Sequence, residues 1–468
     1  MREQPPPQGP ADRPDDPSAG SPADPAAGFA QLGAERPPAH AGRFRGLGAS
    51  YWKLWGASTV SNLGDGVSLV AFPWLATVLT DEAFLIALMG VATRLPWLLF
   101  SLPAGALADR LDRRRIMLAM NTLRALVVGA VAVLVHTDLM TLPLLYLAAL
   151  LLGLAEVLFD NTSQVILPSV VPKRRLEAAN GNLMGAQIVT NDFLGRPLGG
   201  LLTGIALAVP FAFDAATAVV SVVFLLTLRG TFRASGHGAR PPAAAAAGER
   251  PPTTLRGDIA EGVRWLLRHP FLRPLAFTLG WMNASFAAGT AIFVLFAQEI
   301  LGLDALGYGL ILTAFGIGGL AGSLLAARVS ATIGPGASLF ATLWGSVVLL
   351  LVVAFSSNPL VVGAMFATFG FLAVLWNVIT VSLRQTIIPD RLLGRVNSVY
   401  RLLAWGSMPL GMAVGGGVVS VVEATVSRPA GLRAPFLLAA LVHVGLVLYA
   451  RTRLHSTAIA AAKAGQDD

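Results

Sequence analysis

Apolar runs recur along the chain from residue 57 to residue 450, separated by short polar turns. They predict spans at 57–79, 84–107, 116–136, 142–166, 182–208, 211–228, 271–297, 307–327, 337–355, 360–387, 396–421 and 434–450. A hydrocarbon core ~30 Å thick takes ~20 helical residues to cross. Each run suffices for one crossing, so the pattern predicts an all-α polytopic membrane protein of about twelve transmembrane helices. Residues 1–48 are rich in Pro, Ala, Gly, Asp and Ser without apolar periodicity, which predicts a disordered tail. No apolar segment follows a basic start there, so the tail does not read as a signal peptide. Between spans 6 and 7 lies a polar stretch whose low-complexity run, 240–250, reads as a flexible linker. Before Pro270, Ile259, Val263, Leu266 and Leu267 fall on one helical face and Asp258, Glu261, Arg264 and Arg268 on the other, the pattern of an amphipathic interfacial helix. The chain thus divides into a tail 1–48, a six-helix half 49–229, a linker 230–270, a second half 271–452 and a tail 453–468.

Composition narrows the class. The chain is 54% hydrophobic and 13% charged, about half the charged share of a soluble domain, which excludes a soluble enzyme. It has no cysteine, so disulfides, thiolate metal sites and cysteine nucleophiles are excluded as well. The formal charge of +8 matters through its placement. Arg110, Arg113, Arg114 and Arg115 lie between spans 2 and 3, Lys173, Arg174 and Arg175 between 4 and 5, Arg328 after 8, and Arg391 and Arg395 between 10 and 11. The alternate turns, at 80–83, 137–141, 298–306 and 356–359, carry no Lys or Arg, and only Arg428 and Arg433 break the pattern. By the positive-inside rule both termini and the linker are cytoplasmic.

The halves repeat. Gln164 to Pro168, ending span 4, recurs as Gln385 to Pro389, ending span 10, 221 residues later, and Asn62 meets Asn283 at the same offset. A set of three glycines appears in span 5 as Gly195, Gly199 and Gly200 and in span 11 as Gly411, Gly415 and Gly416. Two related halves are the build of many secondary transporters.

The segment from Gly105 through Asp109 and Arg110 to Arg113, Arg114 and Arg115 resembles the signature between helices 2 and 3 of the major facilitator superfamily. Gly105 would permit close helix approach, and Asp109 would meet the positive end of a neighbouring helix. Ser61 to Asp65, Leu167-Pro168 with Asn180, and Gly394 to Asn397 look like the drug and siderophore exporter branch, which includes macrolide and enterobactin exporters. The resemblance implies the superfamily fold and a cytoplasmic gate at Gly105, Asp109, Arg110, Arg113 and Arg114, with Asp160 as an acidic partner. Proton antiporters of the superfamily carry Gly-Pro-x-x-Gly-Gly in helix 5. Here Gly195, Arg196, Pro197, Gly199 and Gly200 keep the glycines in frame, with the proline displaced by one, and antiport is implied.

Ionisable residues inside spans are costly and so are functional candidates. Counting from the turns places Arg124 near the depth of Glu156, and Asp192 beside it; Asp192 and Arg196 are i,i+4 neighbours. These four form either one proton-handling network or static ion pairs that neutralise the arginines. Glu156 is the first candidate for proton coupling, followed by Asp192 and Asp65, with Arg124, Arg196 and Arg94 as charge partners. Asp65 and Arg94, one turn apart in depth, form a candidate pair. Asn62, Phe72, Asn283, Phe286, Phe293, Trp376 and Trp405 are candidates to line a cavity, although any single aromatic serves equally as packing. No P-loop and no zinc-ligand spacing occurs, so no metal or cofactor is expected.

These readings converge on a monomeric secondary exporter in the cytoplasmic membrane. It would exchange an amphiphilic small molecule (drug, siderophore or secondary metabolite) for protons, with substrate, protons and the lipid bilayer as partners and no nucleic acid. The alternatives are a proton-coupled or facilitative importer of a metabolite and an uncoupled lipid-handling carrier.

Overall fold

The structure, a computed structural model, describes residues 47–172, 175–228 and 255–453. Most of the predicted tails and the 240–250 run lie outside the described residues, as do the side chains of residues 101–110. The helices follow the apolar runs. Span 1 is Ala49–Leu79, span 2 Ala83–Arg110, span 3 Arg113–His136, span 4 Leu142–Val170 and span 6 Val209–Thr227. Span 8 is Ala305–Ile333, span 9 Pro335–Phe355, span 10 Pro359–Ile387, span 11 Asp390–Thr425 and span 12 Arg428–Arg453. Span 7 joins Leu272–Ala291 to Phe293–Ile300 with a 45° bend. Span 5, residues 176–205, is helical throughout but wound as α, then π over Ile188–Gly195, then α again. The polar helix Leu255–Arg268 precedes span 7.

The turns fall where the sequence supplies caps. Asp112 accepts the Arg115 N–H at 3.0 Å, Asp304 the Gly307 N–H at 2.8 Å and Asn358 the Leu360 N–H at 2.9 Å, each satisfying a first-turn donor. Proline stands in the first turn of spans 4, 6, 9 and 10, where its missing N–H costs nothing. Spans 1, 11 and 12 extend beyond the predicted runs, and charged residues in the added turns of spans 1 and 11 find partners in the protein: Lys53 donates to the Thr227 carbonyl at 2.8 Å and Arg395 pairs with Glu261.

One end of the bundle gathers Arg113, Arg114, Arg115, Arg273, Arg395, Arg451 and Arg453, and is called the basic end here. The opposite end holds Asp81, Glu82, Asp138, Glu299 and Glu423. Exposed leucines such as Leu126, Leu324 and Leu441, each at least 67% accessible, lie between the two ends, as a lipid-covered belt requires.

The two glycine sets do equivalent work. Cβ atoms added at Gly195 and Gly199 would stand 2.7 Å from the Gly66 Cα and 2.9 Å from the Val67 Cα of span 1. At Gly411 and Gly415 they would stand 2.7 Å from the Cα atoms of Ala284 and Ala288 of span 7. The third glycine of each set faces the other half: Gly200 abuts Ala305 and Leu306 of span 8, and Gly416 abuts Phe84 and Ala87 of span 2. Small residues thus allow two seams between the halves, span 5 on span 8 and span 2 on span 11. Both lie toward the opposite end. So do the two side-chain hydrogen bonds between the halves among the described residues, Gln298 to Thr77 at 3.0 Å and Arg196 to the Leu312 carbonyl at 2.6 Å. Span 4 packs on spans 2 and 3, span 10 on spans 8 and 9, and neither packs on the other half. The space between the halves therefore opens toward the basic end.

Candidate functional site

Arg124 is the hub of the N-terminal half. Its guanidinium pairs with Asp65 of span 1 and donates from Nε and Nη2 to Asp214 of span 6 at 3.1 and 2.7 Å. Ser68 donates to the second oxygen of Asp214. About one turn nearer the basic end, Asn121 donates to Ser221 at 2.6 Å, and Ser221 to the Ala57 carbonyl at 2.9 Å, tying the same three spans. The Asp214 side chain is fully buried, whereas that of Asp65 is 30% accessible. Asp160 lies within electrostatic range of Arg124 and of Glu156, one turn along its own helix. One arginine thus faces three carboxylates, and the cluster carries surplus negative charge when all are ionised. The network expected around Arg124, Glu156 and Asp192 is not formed. Counting residues fixes depth but not azimuth, and span 3 turns Arg124 toward spans 1 and 6.

Glu156 makes no hydrogen bond or ion pair among the described residues, and it is exposed. Leu145, Ala149, Glu156 and Asp160 share one stripe of span 4 at helical spacing. Leu145 and Ala149 are buried, at 0% and 1% accessibility, while the lipid-facing stripe with Leu144 and Leu147 is open even near the opposite end. The Glu156 stripe is therefore a protein-facing surface that emerges where packing ends.

Asp192 and Arg196 pair at 2.6 Å as expected. Asp192 sits in the π-wound segment, a winding frequent at functional positions, with its Cβ against Gly316 of span 8. Arg196 spends one donor on the Leu312 carbonyl, while its buried Nε has no partner. Arg94 does not pair with Asp65, which Arg124 holds. Its guanidinium lies 5.7 Å from the ring centre of Trp405 in the other half, and Trp405 stacks on Trp97 at 5.7 Å and 21°.

Several expected roles are filled differently. The side chains of Gly105, Asp109 and Arg110, on the last turns of span 2, are outside the described residues. Arg114 donates at 2.9 Å to the Leu225 and Leu226 carbonyls, capping span 6, where cations are favoured. Arg113 reaches Ser169 at 3.4 Å. Among the described residues, the charges acting on Asp160 are Glu156 and Arg124. Phe72 is buried against Phe211 in a T-shaped pair, Phe293 packs on Phe366, and Trp376 is 3% accessible, so these three are packing residues. Phe286 is half-buried between Phe315 and Phe369. Asn283 donates to the Ala404 carbonyl at 2.9 Å, while its repeat mate Asn62 is half-buried without a hydrogen-bond partner among the described residues. Pro197 follows the π segment in the first turn of the final α stretch of span 5, where no N–H is needed.

The family model described as transmembrane secretion effector, within the major facilitator superfamily, matches residues 48–464. The chain belongs to this family. It is 28% identical over 395 residues to the multidrug efflux pump Tap of Mycolicibacterium fortuitum, covering 81% of this chain and 90% of that one. It is 26% identical over 374 residues to the enterobactin exporter EntS of Salmonella typhi, covering 77% and 84%. The crystal structure of the nucleoside transporter NupG superposes with a TM-score of 0.67 at 14% identity, covering 87% of this chain and 99% of that one, a likeness of fold. The chain is thus a multi-pass transporter of the drug and siderophore exporter type.

Two residues of this site carry little local signal in the sequence. Asp214 opens span 6 inside an otherwise apolar run, and the cost of such a carboxylate was the available signal. Trp97, three residues after Arg94, gave none, because its partner lies over 300 residues away.

Proposed function

We propose that this transporter is a secondary exporter of amphiphilic small molecules driven by proton antiport in the cytoplasmic membrane. The basic end, both termini and the 230–270 linker are cytoplasmic, and the two six-helix halves rock about the seams. The supporting observation is Glu156, an exposed carboxylate without a partner among the described residues, in mid-span on a protein-facing stripe. With the basic end open, water reaches the Glu156 carboxylate. The substrate-free return passes through a closed state in which that charge would be buried alone, at a cost of several kcal/mol. A proton taken from the opposite face removes the cost and is released at the basic end. Asp65, which shares Arg124 with Asp214, is the second carrier. Gly105, Asp109 and the arginines after them close the basic end in the other half of the cycle. Everted vesicles test the reading. Energised vesicles containing the protein should accumulate a fluorescent lipophilic dye, and adding dye should dissipate their pH gradient. Dye movement without proton movement would overturn the antiport.

A further inference from the structure

Arg94 is a second intramembrane charge without a countercharge: no carboxylate pairs with it among the described residues. Its position tells which way it faces. Ala87, Gly90 and Leu98 lie on the same stripe of span 2 and abut Gly416, Met412 and Gly406 of span 11, so Arg94 faces span 11 of the other half. Its charge also acts on Arg196 in the other seam, although spans 2 and 5 do not pack together. Arg196 belongs to the same half as Arg94, and it is the Trp405 ring, 5.7 Å from the Arg94 guanidinium, that shows Arg94 pointing toward the other half.

Spans 2 and 4 run parallel and cross where a Cβ on Gly153 would stand 2.6 Å from the Thr93 carbonyl and 3.0 Å from Pro96. Arg94 lies at that crossing, and Glu156 one turn from it toward the basic end. Arg94 is half-buried and Glu156 exposed, and neither has an ionic partner among the described residues. Trp405, 43% accessible and stacked on Trp97, adds an aromatic platform from the other half. The buried indole N–H of Trp97 and the Nε of Arg196 are further unused donors.

We propose that Arg94, Glu156 and Trp405 form a binding site for an aromatic zwitterion: Arg94 takes its anionic group, Glu156 its ammonium group, and the Trp405 ring its aromatic face. A guanidinium pairs with a carboxylate by two parallel hydrogen bonds, and a desolvated tryptophan face attracts aromatic and cationic groups. The assignment rests on the exporter reading and sharpens it. A substrate ammonium and a proton compete for Glu156, so the two ligands exclude each other as antiport requires. The anionic group meanwhile supplies the countercharge that Arg94 lacks.

The test uses purified full-length protein and equilibrium dialysis with three naphthalene probes: 4-(aminomethyl)-1-naphthoate, 1-naphthoate and 1-naphthylmethylamine. The zwitterion should bind at least about tenfold tighter than either singly charged probe. Arg94→Gln should lower zwitterion binding to the level of naphthylmethylamine while leaving naphthylmethylamine unchanged, which also reports that the variant is folded. Glu156→Gln should lower it to the level of naphthoate, and Arg94→Lys should recover most of the affinity. Equal binding of the three probes, or zwitterion binding indifferent to Arg94→Gln, would overturn the site. The same preparations in everted vesicles separate the two readings. Charge-selective, Arg94-dependent binding without proton-driven transport supports the site and removes the exporter. Proton-driven dye transport with charge-blind binding does the reverse.

Discussion

The Tyr51 hydroxyl of span 1 donates to the Ala179 carbonyl of span 5 at 3.1 Å. At an offset of 221 residues the contact recurs with donor and acceptor exchanged: Tyr400 of span 11 donates to the Leu272 carbonyl of span 7 at 2.8 Å. Both rings are fully buried. The repeat has kept the bond while moving the side chain from one helix of the pair to the other, so the tie between these helices, rather than the residue, is the retained feature. Tyr51→Phe and Tyr400→Phe should each destabilise the protein by about 1 kcal/mol, read as similar drops in melting temperature. A large loss in one and none in the other would end the equivalence.

The Arg124 hub separates structure from transport. Removing one member of a buried ion pair costs ~3 to 5 kcal/mol, and Asp214 is the fully buried carboxylate. Asp214→Asn should cut the yield of monodisperse protein severely. Asp65→Asn, at the accessible carboxylate, should be purified normally and transport poorly. Normal purification of both variants would show that the cluster does not hold spans 1, 3 and 6 together.

Much of this architecture was legible in the sequence. Apolar runs are long because the bilayer is thick, and caps such as Asp112 and Asn358 mark the turns by their own chemistry. Arg124 shows the limit. Its depth follows from counting, but its partners depend on how the helices are rotated and packed, which no local pattern encodes. Arg114 looked like part of a charged loop, yet it serves the carbonyl end of a helix about 110 residues away. The π winding of span 5 also has no local sign. Its trace is long-range: 16 residues separate Ala179 from Gly195, whereas 11 separate the matching Tyr400 and Gly411, and the wider winding accommodates part of the excess.

The seams predict a conformational effect. Gly199→Leu would overpack span 5 against Val67 within one half and should cost ~1 to 3 kcal/mol of stability. Gly200→Leu presses instead on span 8 across the halves and should push the opposite end apart. The chain has no cysteine, so Thr77→Cys with Gln298→Cys gives a clean reporter for a short thiol-reactive crosslinker. Gly200→Leu should reduce crosslinking several-fold, while Gly199→Leu leaves it near the parent value. Unchanged crosslinking in the Gly200 variant would show that this contact does not govern closure.

His269, between the helix Leu255–Arg268 and span 7, accepts at Nδ1 from the Phe271 and Leu272 N–H groups at 3.2 and 3.1 Å. Only the neutral ring has this lone pair, and burial holds its pKa below the usual 6.5. Above about pH 6.5 the ring is neutral in both folded and unfolded protein, and the cap contributes fully. As pH falls below that value the unfolded chain takes up the proton first. Stability then declines until the folded ring titrates, and below that pH it levels off. Melting curves from pH 8 to 5 should show this acid-side loss, and His269→Asn, which keeps an acceptor without titrating there, should flatten it. An identical pH slope in the variant would assign the loss to other groups.

The coupling assignment makes the sharpest claim. Glu156→Gln imitates the protonated carboxyl: it keeps the shape, removes the charge and cannot release a proton. If Glu156 is the carrier, the variant should still rock, because its closed state buries no lone charge. Substrate counterflow at saturating concentration should therefore persist, with a raised half-saturation concentration from the lost ammonium contact. Proton-driven accumulation should fall to background, and dye addition should no longer dissipate the pH gradient of everted vesicles. Asp192→Asn provides the contrast. Asp192 already has Arg196 at 2.6 Å on its own helix, so its loss leaves a buried guanidinium short of its partner and should lower yield rather than uncouple. Full proton-driven accumulation in Glu156→Gln would transfer the carrier role to Asp65, the remaining accessible carboxylate of the Arg124 cluster.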